Sequence, residues 1–198
     1  MFQRVTLRVA DVAASERFYD TVLPTLDIDR GSSEFTLEPV DAEHPVTRGL
    51  HIGFRAPSRS EVDAFWRAGT EAGYPDDGVP GRRPQYTDDY YGSFLLDPDG
   101  NSAEAVHHSA MRGDGAIDHI WIRVPDVDAA KRFYSEIAPH AGFRLVEEIP
   151  GRARYAGYEG GSFTLLAGRP TENLQMTFRG SVTGVRVDPA GSRVEIVS

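Results

Sequence analysis

Four residues carry most of the chemistry open to this chain: His51, Glu104, His119 and Glu195. The two glutamates occupy matching places in a repeated segment. "DPAGSRVEIV" at 188–197 echoes "DPDGNSAEAV" at 97–106, with five of ten positions identical. In each copy proline and glycine suit a tight turn, and a carboxylate then appears in a strand that is otherwise half apolar. The two histidines each open a short alternating segment, "HIGFR" at 51–55 and "HIWIR" at 119–123. Imidazole and carboxylate together are donors for a divalent transition metal. The 198 residues include no cysteine, which excludes thiolate nucleophiles, disulfides and sulfur-ligated metals. Lys131 is the one lysine and falls among helix-surface residues, so Schiff-base chemistry is set aside.

The elements that must position these groups come in repeats. Residues 4–26, "RVTLRVADVAASERFYDTVLPTL", align with 119–141, "HIWIRVPDVDAAKRFYSEIAPHA", at nine identities in 23 positions, where composition alone gives about one or two. Each copy begins with an alternating strand that buries Val5, Leu7 and Val9, or Ile120, Ile122 and Val124. Asp11 and Asp126 stand at helix N-cap positions, and Pro24 and Pro139 limit the helices. Short strands follow at 34–38 and 162–166. A second kind of unit runs from His51 through a helix bearing Val62, Phe65 and Trp66 to the Asp-Pro-Asp-Gly turn. The fourth unit reaches its own turn 10 positions after Phe178, against 43 from Phe54 to Asp97. It has therefore lost its helix and two strands by this reading, which leaves a sheet face to be covered by the other half or by a second chain.

If the apolar faces meet the helices, the opposite faces line a hollow. The four opening strands place Arg4, His51, His119 and Gln175 first, and arginine four residues later every time: Arg8, Arg55, Arg123 and Arg179. At about 3.3 Å per residue the two layers are about 13 Å apart, one suited to a metal and the other to an anion. The alternative for the arginines is strand-end salt bridging. Tyr86, Tyr90 and Tyr91 precede the last strand of the second unit and offer rings to a planar or cationic ligand; edge-strand tyrosines are also ordinary β-formers. His107 and His108 read as surface residues.

Units opening "HIGF" or "HIWI" and closing on "DPDGNSAEAV" resemble the vicinal oxygen chelate superfamily, the glyoxalase, bleomycin-resistance and dioxygenase group. The resemblance implies an α+β fold of paired βαβββ modules in two tandem halves, with the last module shortened and lacking its helix. The halves are expected at 1–110, a complete two-module domain, and 117–198, a truncated one, joined by a linker at 111–116. In metal-dependent members the ligands are a histidine from the first strand of each of two modules and a glutamate from the last strand. Carried over by halves, the first half supplies His51 and Glu104 but has Arg4, and the second supplies His119 and Glu195 but has Gln175. Guanidinium has no lone pair for a metal, so Arg4 is expected to pair with Glu104, and Glu38 is the carboxylate that could restore a ligand. Gln175 is a weak neutral ligand.

The resulting expectation is a small-molecule cup around Arg4, His51 and Glu104, with Arg8, Arg55, Glu38, Tyr86, Tyr90 and Tyr91 as ligand contacts and a degenerate metal site. The alternative is a lyase or extradiol-type dioxygenase using iron, manganese, nickel or zinc, with His51 and Glu104 catalytic. A net charge of −9 opposes nucleic-acid binding. No apolar run reaches the roughly 18–20 residues needed to span a bilayer, and the amino terminus lacks a signal pattern. A cytoplasmic protein, able to form a homodimer, is expected.

Overall fold

The computed structural model describes residues 1–31, 34–111 and 113–198. Four modules follow in chain order. The first comprises β1 (Phe2–Val9), α1 (Val12–Val22) and β2 (Phe35–Pro39). The second has β3 (His51–Arg55), α2 (Arg59–Glu71), β4 (Asp76–Arg82), β5 (Tyr91–Leu96) and β6 (Ser102–His107). The third has β7 (Ile117–Val124), α3 (Val127–Ile137), β8 (Phe143–Ile149), β9 (Arg152–Gly157) and β10 (Ser162–Ala167). The fourth has β11 (Gln175–Arg179), β12 (Gly184–Val187) and β13 (Arg193–Val197). The last module lacks its helix as expected, but it keeps three strands, so one strand is missing rather than two. The first module is also shorter than βαβββ, with two strands instead of four among the described residues.

Local sequence accounts for the elements. Asp11 and Asp126 cap α1 and α3, their carboxylates accepting the amides of Ala14 and Ala129. Pro24 and Pro139 enter single 3-10 turns that close each helix. The alternating residues Val5, Leu7 and Val9, and likewise Ile120, Ile122 and Val124, are buried.

The modules pair across the two halves of the chain, not within them. The eight-stranded sheet has the order β4-β5-β6-β3-β7-β10-β9-β8, and the five-stranded sheet β12-β13-β11-β1-β2. The second module thus joins the third through antiparallel β3 and β7, and the first joins the fourth through antiparallel β1 and β11. This corrects the expected grouping of site residues: Arg4 and Glu38 lie on a different sheet from His51 and Glu104.

The repeated Asp-Pro turns serve to tie the sheets together. Asp97 accepts the amides of Asp99 and Asn101 through Oδ1 and the Tyr19 hydroxyl at 3.0 Å through Oδ2. Asp188 repeats this with the amides of Ala190 and Ser192 and with the Tyr134 hydroxyl at 2.8 Å. Each tyrosine comes from the helix of the preceding module, so each bond joins elements of the two sheets. Where a fourth helix would lie, Ile137 and His140 border Val194 and Ile196 around a cavity of about 300 Å³, and Arg186 of β12 reaches Glu136 of α3 at 2.7 Å. Among the described residues no helix is long and apolar enough to cross a membrane.

Candidate metal centre

Strand register brings the donors together. On one row, Glu104 of β6 lies opposite Gly53 of β3, which lies opposite His119 of β7. Two residues before Gly53 on the same face is His51, opposite Ser102 and Trp121. Gly53 is the residue that lets the row close up. A Cβ built on it would fall 2.4 Å from the His119 ring, and one on Gly92 of β5 would fall 2.5 Å from Glu104 Oε1. Side chains at either position would displace the donors.

His51 Nε2 is 2.9 Å and His119 Nε2 3.2 Å from Glu104 Oε2, and the two nitrogens are 3.2 Å apart. All three residues are buried. Donors bound to one ion at about 2.1 Å are about 3.0–3.4 Å from each other, so the spacing suits a shared cation. The surrounding hydrogen bonds fit one as well. Asp118 Oδ2 lies 2.9 Å from His119 Nδ1 and can only accept there. Ser102 gives its hydroxyl proton to Asp77, which leaves its oxygen to accept from His51 Nδ1 at 3.3 Å. Each neutral imidazole then donates through Nδ1 and turns a bare Nε2 toward the carboxylate. Tyr90 donates to Glu104 Oε1 at 2.8 Å and leaves Oε2 to face the histidines.

Without a cation, protons take up the electrostatic load. Burial alone would raise Glu104, but the hydrogen bonds from His119 and His51 outweigh it and bring the carboxyl down to about 2. Burial likewise disfavours a charged His119, yet its bonds to Asp118 and Glu104 raise it to about 10. His51 is lowered, chiefly by burial and against the pull of Glu104. Tyr90 is raised by burial and by the Glu104 charge.

Aromatic rings border the centre. Trp121 lies 4.7 Å from His51, Tyr86 5.5 Å from Trp121, and Phe94 5.8 Å from His51, between ring centroids. His108 stacks on Tyr90 at 5.4 Å and reaches Asp118 at 3.3 Å; it is part of the site's support and not the surface residue its strand-end position suggested.

Other expected site residues lie elsewhere. Arg8 pairs with Glu38 at 2.7 Å on the five-stranded sheet, so neither reaches the centre. Arg4 is exposed opposite Thr177, and Gln175 lies opposite Thr6 and Arg193. Glu195 lies beside Thr177, whose hydroxyl is 3.5 Å away. Arg55 binds the carbonyls of Gly113 and Gly115 near the junction of the halves. Tyr91 turns to the helix side, donating to Asp63 at 2.8 Å beneath Arg59. The arginine layer is thus split between two sheets, and Arg179 binds Gln3. Sequence reasoning missed Asp118, Ser102, Asp77 and the steric role of Gly53. Only Ser102 had a signal, since strand alternation puts it on the face of Glu104.

The expectation that each half lacks one ligand is overturned by the pairing across halves. His51 and Glu104 from the second module and His119 from the third make one His-Glu-His set. Comparison with solved structures agrees with the fold. Glyoxalase I from Zea mays matches with a TM-score of 0.68 at 16% identity, covering 100% of this chain and 92% of that one; a point mutant of the same enzyme gives 0.70 at 15%, covering 99% and 92%. A putative dioxygenase from Bacillus subtilis gives 0.65 at 14%, covering 98% and 84%. No curated protein matches the chain. The family model described as the Glyoxalase/Bleomycin resistance protein/Dioxygenase superfamily matches residues 2–105 and 116–196; with nearly the whole sequence accounted for, the chain belongs to that superfamily.

Proposed function

We propose that this protein is a divalent-metal-dependent enzyme acting on a small molecule with two neighbouring oxygens, held at His51, Glu104 and His119. The observation that carries the reading is the convergence of three donor atoms at 2.9–3.2 Å. Two histidines and one carboxylate are the set that suits iron(II) in oxygenases and leaves positions for substrate. When bound, the ion would polarise the two substrate oxygens as a Lewis acid. The protein's own groups do the rest. Asp118 and Ser102 hold the histidine tautomers, Tyr90 orients Glu104, and Trp121 and Tyr86 offer faces to a planar substrate. One chain supplies all three donors, so a homodimer is not needed to complete the centre.

The test uses cobalt(II) as a visible probe on chelator-stripped protein. One equivalent should bind with a d–d absorption band, the band should change when catechol is added, and Glu104→Gln should abolish both effects. A band indifferent to catechol, or one that persists in Glu104→Gln, would contradict the proposal. Absence of cobalt binding would point instead to the metal-free ligand-binding reading.

A further inference from the structure

We propose that the ligand of this centre is a planar anion whose carboxylate is received by Arg152 and Arg154 of β9, an assignment that rests on the same site being a small-molecule site. In β9, Ala153 and Tyr155 are fully buried in the core, which puts Arg152 and Arg154 on the opposite face. That face is shared with the centre. The register runs from His51 to Trp121, to Thr164 and to Arg154 across β3, β7, β10 and β9, and the next row pairs Arg123 with Leu166 and Leu166 with Arg152. Three strand spacings, about 14 Å, separate the backbones of His51 and Arg154.

Charge makes this wall unusual for the molecule. Arg152 and Arg154 share one carboxylate, Glu147, at 3.3 and 3.6 Å. Both contacts run through Nε and fall short of hydrogen-bond geometry, so the terminal nitrogens of the two guanidiniums are the donors offered to a ligand. Arg123 is exposed on the same face, and Arg83 lies 5.3 Å over the Phe94 ring. A chain of net charge −9 nonetheless sets these four arginines on or beside the sheet that holds its buried donors, with Glu147 contacting Arg152 and Arg154. Guanidinium is the group best matched to a carboxylate or phosphoryl anion. The rings of Tyr86 and Trp121 supply the flat surface between the donors and this wall, and Arg152 is near enough for its charge to bear on the Tyr86 hydroxyl.

The experiment is done on chelator-stripped protein, so that it does not depend on metal. Trp121 and Trp66 are the two tryptophans, and Trp66→Phe leaves Trp121 as the sole reporter. Its fluorescence is titrated with benzoate and with benzamide, the same ring without the charge. Benzoate should bind about tenfold more tightly, the effect of roughly one charge-assisted hydrogen bond. Arg152→Gln/Arg154→Gln should abolish that preference and leave benzamide binding unchanged, which also shows that the variant is folded. Phenylphosphonate binding more tightly than benzoate would support an anion site and assign a phosphoryl group to it. Equal affinity for benzoate and benzamide, a preference that survives the double substitution, or no response to any probe would overturn the proposal. Metal content measured before stripping reports on the metal reading separately.

Discussion

In the eight-stranded sheet Glu104, Gly53 and His119 stand side by side in register; in the five-stranded sheet the corresponding row reads Glu195, Thr177 and Arg4. His51, two residues before Gly53, corresponds to Gln175, two before Thr177. Both sheets thus carry the same frame of positions, and both retain the glutamate. The difference is one of space as much as of donors. Gly53 lets the His119 ring lie across the row to within 3.2 Å of Glu104, whereas Thr177 fills that place with its own side chain and contacts Glu195 instead. The sheet that lacks the two histidines is also the one whose modules are shortened. Packing between the sheets is conserved in form nonetheless, since each Asp-Pro turn is bound by a helix tyrosine.

The largest contrast is expected at the glutamates. Glu104→Ala should abolish metal binding and lower unfolding stability by about 3–5 kcal/mol, because the buried His119 charge loses one of its two carboxylates and the Tyr90 hydroxyl loses its acceptor. Glu195→Ala, on the half-buried open face, should change stability by no more than about 0.5 kcal/mol and leave metal content intact. Urea unfolding with elemental analysis measures both.

Space is tested next. Gly53→Ala should weaken metal binding about 10–100-fold, the range typical of a displaced ligand support, as read by competition with a chromophoric chelator. Arg4→His/Gln175→His should acquire no second metal, and adding Thr177→Gly should give one. A second equivalent in the double variant would show that donors alone decide.

The pH dependence follows from the charged pair in the metal-free protein. Glu104, lowered to about 2, stabilises the fold at neutral pH and loses that contribution as pH falls from about 4.5 towards 2. His119, raised to about 10, contributes fully below about 6.5 and loses its share as pH rises towards 10. A metal needs the neutral imidazole, so uptake at pH 7 should release about one proton, measured by calorimetry in buffers of different ionisation enthalpy. The five-stranded sheet should show no such release.

The smallest and most even effect is expected at the turns. Tyr19→Phe and Tyr134→Phe each leave a buried aspartate short of one donor and should cost about 1–3 kcal/mol. Calorimetric melting should show similar losses for both, with metal content unchanged.

Much of this frame was legible in the sequence. The duplication, the caps at Asp11 and Asp126, the alternation of the opening strands and the turn glutamates follow from spacing and residue type, and all have a physical counterpart in the structure. Pairing of the modules was not legible, because strands of either half present equivalent apolar faces and periodicity does not say which edge joins which. That missing link separated His119 from His51 and Glu104 and made an assembled donor set look like two broken ones. Asp118 was missed because its carboxylate reaches the ring of the very next residue, a contact set by rotamers and not by strand parity.

A single metal site built across the two halves can be tested directly. The direct measurement is metal content by elemental mass spectrometry on protein purified without chelators or metal-binding tags, for the unaltered chain and for His51→Ala, His119→Ala and Gln175→Ala. One ion per chain is expected, lost equally in His51→Ala and His119→Ala and kept in Gln175→Ala. Metal that survives His51→Ala but is lost in both His119→Ala and Gln175→Ala would contradict it.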